Sequence, residues 1–285
     1  MLNIDLHTHS TASDGTLSPT QLVNRAAAAG VRTLALTDHD TTAGLTEARQ
    51  AAKAVGLELI NGCEISVTWS AQTVHIVALN VDPETPVLQQ GLDSLREFRQ
   101  WRAEEIGRRL ASHGIQGAYE GAAALAQGEL ISRTHFAHFL VQNGYAESVR
   151  AVFKKFLVNN RPGYVSGHWA ALGDALDWIK AAGGQAVIAH PARYNMTRSK
   201  LLRLIKDFRE AGGRAIEVVS GSHSRDEYQT MARHASQNQL QASAGSDYHG
   251  PENPWIELGR LPDLPVECQP LWQDWPLSAA HNRPN

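Results

Sequence analysis

Short apolar runs that stop on a histidine, aspartate or glutamate recur down this chain, and that recurrence limits the fold more than any other feature. The run 2–6 leads into Asp5-Leu6-His7-Thr8-His9-Ser10, with Asp14 shortly after. Alternate residues of an extended backbone face the same side, so His7 and His9 aim two imidazoles at one point. The run 31–37 leads into Asp38-His39-Asp40, 57–60 into Gly62-Cys63-Glu64, and 186–189 into His190-Pro191. A last strand ends in Gly245-Ser246-Asp247-Tyr248-His249, while His75 sits among the apolar residues of 74–79. Helix signals separate several of these runs, among them Ser18-Pro19 as a cap and first turn. Strand, polar loop, helix, strand predicts a parallel α/β barrel or sheet, whose sites lie at the C-terminal ends of the strands.

The rhythm breaks after Asp82-Pro83. Residues 85–165 read as helices, with Leu95, Phe98, Ile106 and Leu110 on one face of the first. They are expected to form a small inserted helical subdomain that covers the site like a lid. Residues 1–84 and 166–285 then make up the barrel, with helices over 171–182, 199–211 and 225–237. The last 35 residues, rich in proline and tryptophan, read as an irregular tail on the surface.

The 285 residues carry a net charge of −3, which provides no basic field for gripping long nucleic acids. Cys63 and Cys268 are too far apart for a CxxC motif, so two reduced thiols in a cytoplasmic protein are expected. Neither a signal peptide nor a membrane-spanning run is evident, and nothing points to an obligate protein partner. The thirteen histidines are the compositional oddity.

Collected, the strand-end set is His7, His9, Asp14, His39, Glu64, His75, His190, Asp247 and His249. Each has an ordinary explanation: His75 reads equally as a core histidine, Asp14 as a turn residue and Asp247 as a helix cap. Together they make a donor set of imidazole and carboxylate without thiolate, which suits Zn²⁺, Mn²⁺ or Fe²⁺. Nine donors are too many for one ion and suit two or three that share a bridging carboxylate, for which Glu64 is the choice. Such ions lower the pKa of bound water and clamp phosphoryl oxygens.

Arginine forks match the remaining phosphate oxygens. The candidates are Arg193, just after His190-Pro191, and Arg133 in Ile131-Ser132-Arg133-Thr134-His135, with a surface salt bridge as the alternative for each. His223, at another strand end beside Ser222, is a candidate proton donor to the leaving oxygen, or else a loop histidine. Asp40 either orients His39 or caps the next helix. Ser222 and His135 are candidate substrate contacts.

The Asp5–Ser10 opening with Asp14, the Thr37-Asp38-His39-Asp40-Thr41 block, Gly62-Cys63-Glu64, His75, His190-Pro191 and the closing Gly245–His249 motif stand in the order of the PHP (polymerase and histidinol phosphatase) family, which the sequence resembles. The resemblance implies a distorted (β/α)₇ barrel with three divalent ions. By it, His7, His9, Glu64 and Asp247 hold one ion; Glu64, His75 and His190 a second; Asp14, His39 and His249 a third. Some relatives carry histidine at the position of Asp14, and the aspartate favours a harder ion, so manganese is expected before zinc or iron.

Within the family, the resemblance is greatest to enzymes that remove the 3′-phosphate of 3′,5′-bisphosphonucleotides and to ribonucleases that trim short 5′-phosphorylated RNA. Arg133, which comes from the inserted helices, is the natural reader of the 5′-phosphate. Two alternatives remain: hydrolysis of histidinol phosphate, which needs an anionic pocket for the amine, and a non-catalytic metal-binding module, which predicts eroded ligands.

Overall fold

The computed structural model describes residues 2–128 and 130–276. Along the chain, strand β1 (Ile4–Asp5) is followed by helix α1 (Pro19–Ala28), β2 (Thr33–Leu36), α2 (Leu45–Val55), β3 (Glu58–Trp69) and β4 (Gln72–Leu79). Next come α3 (Pro86–Ser112), α4 (Ala118–Leu125), α5 (Arg133–Gln142) and α6 (Val149–Val152), which runs into a π-helical turn at Phe153–Leu157. The chain continues through β5 (Ala170–Ala171), α7 (Leu172–Ala181), β6 (Gln185–Ile188), α8 (Arg198–Glu210), β7 (Ala215–Ser220), α9 (Arg225–Gln237) and β8 (Gln241–Gly245).

Seven strands pair in the order β1-β2-β3-β4-β6-β7-β8, and β5 adds to β3 off that path. The two ends of the sheet meet: Leu6 N donates to Ala244 O at 3.0 Å and Asp247 N to His7 O at 2.8 Å. The result is a nearly closed barrel. At Gly245 the backbone of β8 presses so close to His7 that a Cβ would lie 2.3 Å from the histidine's own.

The barrel is mixed, which revises the all-parallel reading. β4 runs antiparallel to both β3 and β6. The cause is local: Ser70 and Ala71 join β3 to β4 with φ of 47° and 59°. Positive φ at both central residues makes the tight turn whose twist matches a hairpin. His75 therefore enters the site from the start of β4, opposite Ser66, rather than from a strand's C-terminal end.

Inside the barrel, Ile4, Leu6, Ala35, Ile60, Val77, Leu79, Val187, Ala189 and Ala215 pack together, joined by Leu271. The expectation of a tail lying wholly on the surface is corrected by that leucine, which is fully buried, and by Ala242 N donating to Gln269 O at 2.8 Å. Burying Leu271 contributes about 2 kcal/mol, enough to hold this segment against the barrel. The part of the tail beyond 276 lies outside the described residues.

Helix α3 serves two cores. Leu88, Leu92 and Leu95 join the barrel's outer layer, whereas Ala103, Ile106 and Leu110 pack with Phe136, Leu140, Phe156 and Leu157 in a second cluster. Between them the buried position belongs to Arg99, not to Phe98. Phe98 is only half-buried, edge-on to Trp169 with ring centroids 4.8 Å apart. Among the described residues no helix is long and apolar enough to cross a membrane.

Candidate active site

The nine residues of the donor set converge on one rim of the barrel, with Glu64 at the middle. Its carboxylate lies 3.3 Å from His7 Nε2, 3.4 Å from His9 Nε2, 2.8 Å from His39 Nδ1, 3.0 Å from His75 Nδ1 and 3.1 Å from His190 Nε2. Asp247 Oδ1 lies 3.5 Å from His7 Nε2 and 3.3 Å from His9 Nε2. Asp14 Oδ1 lies 3.3 Å from His249 Nε2 and 3.8 Å from His39 Nε2. Three overlapping groups have donor atoms within 4.8 Å of one another: His7, His9 and Glu64; His39, Glu64 and His75; and His9, Asp14, His39 and His249.

Local structure holds these donors in place. Buried Asp38 accepts from Ser10 N at 2.8 Å, Ser10 Oγ at 2.7 Å and Ser13 Oγ at 2.6 Å, pinning the loop that delivers Asp14. Thr134 Oγ1, at the start of α5, donates to Asp14 Oδ2 at 3.2 Å. His190 and Asp247 have φ of 28° and 57°. Non-glycine residues at positive φ carry backbone strain and cluster at functional sites.

The electrostatics fit divalent cations. Burial works against the charges of Glu64, Asp14 and Asp247, yet the surrounding imidazoles hold all three carboxyls well below the usual range. Burial also opposes protonation of His249, but Asp14 and Asp247 raise its pKa to about 10. His9, buried and facing His249, falls to about 3. His7 Nε2 and His9 Nε2 face each other at 3.1 Å. That is about the separation of two nitrogens each about 2.1 Å from one ion. The contacts of His39 Nδ1 with Glu64 Oε2 and of Asp14 Oδ1 with His249 Nε2 lack hydrogen-bond geometry, so these three buried atoms, like His9 Nδ1 and His190 Nδ1, have no hydrogen-bond partner among the described residues. Six imidazoles and three ionised carboxylates are a donor set that divalent ions satisfy.

The cluster forms one wall of a cavity of about 370 Å³. Arg99, Arg102, Arg133, Phe153, Tyr164 and Trp169 line the side contributed by α3, α5 and the segments around them. Arg99 is neutralised by Asp40. Among the described residues Arg102 donates only to the carbonyl of Val165, and desolvation beside Arg133 and Arg99 lowers its pKa to about 9. Arg133, half-buried near Arg99 and also lowered, lies 5.5 Å over the ring of Phe153. The π-helical turn that carries Phe153 is a local widening often found at functional sites. Arg193 lines the same cavity and pairs with Asp247 Oδ2.

Four expected site residues are placed elsewhere. His223 is buried with both ring nitrogens engaged by backbone: Ala192 N donates to Nε2 at 3.3 Å and Nδ1 faces Val218 O at 3.2 Å. In this arrangement both ring nitrogens serve the backbone, and His223 does not line the cavity. His135 Nδ1 accepts from Ser132 N at 3.1 Å, capping α5 from outside the cavity. Ser222 is exposed and 3.4 Å from Ser220 Oγ, also outside the cavity. Asp40 turns away from His39: its oxygens accept from Ser66 N and Arg99 Nε, each at 2.7 Å.

Arg99, Arg102, Trp169 and Tyr194 line the cavity without having been singled out in the sequence. Tyr194 Oη accepts from His75 N at 2.7 Å, which steadies the start of β4. One signal was available: Leu88, Leu92, Leu95, Ala103, Ile106 and Leu110 leave Arg99 at an apolar position of their stripe. An arginine there marks a buried, paired charge.

A family model for the PHP domain matches residues 5–221. The chain is 51% identical to the 3′,5′-nucleoside bisphosphate phosphatase of Chromobacterium violaceum over 275 residues, 96% of either chain. It is 47% identical to a 5′-3′ exoribonuclease of Escherichia coli over 273 residues, 95% of this chain and 93% of the other. A solved structure of an amidohydrolase from Chromobacterium violaceum, with bound sulfate and no metal, matches with a TM-score of 0.91 at 51% identity, covering 95% of this chain and 94% of that one. The chain belongs to the PHP domain family.

Proposed function

We propose that this protein is a metal-dependent phosphoesterase that hydrolyses the 3′-phosphate of 3′,5′-bisphosphonucleotides, giving a nucleoside 5′-monophosphate and phosphate. The same site trims short 5′-phosphorylated RNA from its 5′ end, because both reactions cleave the ester at the 3′-oxygen of a nucleotide held by its 5′-phosphate. The observation that carries this reading is a single cavity with imidazoles and carboxylates on one wall and, on the other, Arg102 and Arg133, which have no carboxylate partner among the described residues. The close relatives named as a bisphosphate phosphatase and an exoribonuclease support it.

Three divalent ions are assigned, with manganese preferred over zinc or iron. His7, His9, Glu64 and Asp247 would hold one, Glu64, His75 and His190 a second, and Asp14, His39 and His249 a third. When bound, they lower the pKa of water and neutralise the charge that gathers on the phosphoryl oxygens. Arg193, fixed by Asp247, adds a fork for a phosphoryl oxygen at the same wall. Arg102 and Arg133 grip the 5′-phosphate, an anion that offsets the repulsion between two half-buried guanidinium groups. The helices that supply them form a recognition subdomain over residues 85–165, set on a barrel of 1–84 and 166–285. The free thiols Cys63 and Cys268 suit the cytoplasm.

Phosphate release from adenosine 3′,5′-bisphosphate by manganese-loaded protein tests the proposal, with histidinol phosphate and a 3′-monophosphate alongside. Fast release from the bisphosphate alone is expected, with adenosine 5′-monophosphate as the product. Equal rates on all three would remove the 5′-phosphate grip. Preference for histidinol phosphate would overturn the substrate, although the arginine wall is the wrong charge for its amine.

A further inference from the structure

Glu217 lies on β7, fully buried, and plays no part in the site as set out above. The pairing of β7 with β8 shifts register between Glu217 and Val219. Such an irregularity re-aims side chains, and here the carboxylate sits behind the metal-ligand wall. Its Oε1 lies 2.6 Å from His7 Nδ1, and its Oε2 accepts from His190 N at 2.6 Å. The rings of His7 and His190 stack with centroids 5.7 Å apart and an interplanar angle of 22°. One carboxylate thus holds two histidines far apart in the sequence.

We infer that Glu217 is a positioning residue that presents His7 Nε2 and His190 Nε2 together to two neighbouring ions. The inference rests on the reading of both histidines as metal ligands. With Nδ1–H donated to Glu217, the lone pair of His7 is left on Nε2, which faces His9 and Glu64. The second oxygen acts on backbone. His190 has φ 28° and ψ 54°, a sparsely populated conformation for a side-chain-bearing residue, and the bond from its N–H to Glu217 helps to hold it there. A buried carboxylate that accepts two bonds cannot be replaced by an amide without loss. Glutamine has one acceptor oxygen, and its NH₂ would face one of the two N–H donors. Asp14 and His249 make no contact with Glu217 among those described, which leaves the third ion's site as an internal control.

The test compares wild-type protein with Glu217→Gln, both loaded with Zn²⁺ as a diamagnetic probe. Metal per chain and affinity are read by competition with a chelator, and the His7 Nδ1–H proton by ¹H–¹⁵N spectroscopy. Expected is a hydrogen-bonded Nδ1–H resonance at low field in the wild type, lost in Glu217→Gln. Zinc affinity at the affected positions should weaken about 10- to 100-fold, with one ion retained more tightly. An unchanged affinity with that resonance retained would overturn the role of Glu217 and leave the metal reading standing. Failure of the wild type to bind zinc would overturn both. Should Glu217→Gln not fold, the wild-type spectrum decides: a His7 with its proton on Nε2 and none on Nδ1 refutes the inference.

Discussion

Arg99 Nε donates to Asp40 Oδ2 at 2.7 Å, tying the middle of α3 to the loop that follows β2. Both side chains are buried, Arg99 Nη2 also donates to Ser66 Oγ at 2.9 Å, and Asp40 holds φ at 51°. The bond to Ser66 links the helix that supplies Arg102 directly to β3, the strand that carries Glu64. Removing one partner strands a buried charge. Arg99→Ala is therefore expected to destabilise the fold by about 3–5 kcal/mol, read from urea unfolding. A loss under 1 kcal/mol would show that water screens the pair.

Among the described residues Arg133 has no such ion-pair partner. Its guanidinium lies against the Phe153 ring beside the cavity. Arg133→Ala should leave hydrolysis of a simple aryl phosphate nearly intact and lower kcat/KM for a 3′,5′-bisphosphonucleotide. A lost hydrogen bond to a charged group costs about 1.5–3 kcal/mol, or roughly 10- to 150-fold by the conversion of 1.4 kcal/mol per decade. Equal losses on both substrates would refute its role as the 5′-phosphate contact.

His223 joins the turn after His190 to β7, through Ala192 N and Val218 O. His223→Ala should lower stability by about 1–3 kcal/mol, since it strips two buried backbone groups of their partner. The shape of the pH–rate profile should not change. Loss of its alkaline limb alone, without destabilisation, would restore His223 as the proton donor.

His234, at the end of α9, is buried, and burial followed by the charges of Arg198 and Arg233 lowers its pKa. A depressed value means that the unfolded chain binds the proton more readily. Its contribution to stability is therefore present above the ordinary histidine pKa of about 6.5 and is lost as pH falls through the lowered folded value. His234→Gln should narrow the difference in unfolding free energy between pH 7.5 and pH 5. An identical pH dependence in wild type and variant would refute this account.

The sequence by itself determined the alternation of strand, polar loop and helix, and the nine imidazole and carboxylate residues that the barrel gathers at one rim. That pattern is legible because it is local: His7 and His9, two residues apart just beyond β1, are set beside each other by the chain itself. Tertiary structure decided what each remaining polar group touches. His223, His135, Ser222 and Asp40 have the right chemistry at suggestive places, but Ala192, Ser132 and Arg99 engage the ring nitrogens or carboxylate on which three of those roles depended, and Ser222 lies outside the cavity. The direction of β4 turned on the backbone of Ser70 and Ala71, which neither residue type demands. Arg102, Trp169 and Glu217 gained their places from partners far along the chain. Hydrogen bonds and buried charges are satisfied between elements remote in sequence, so their pairing is written in three dimensions.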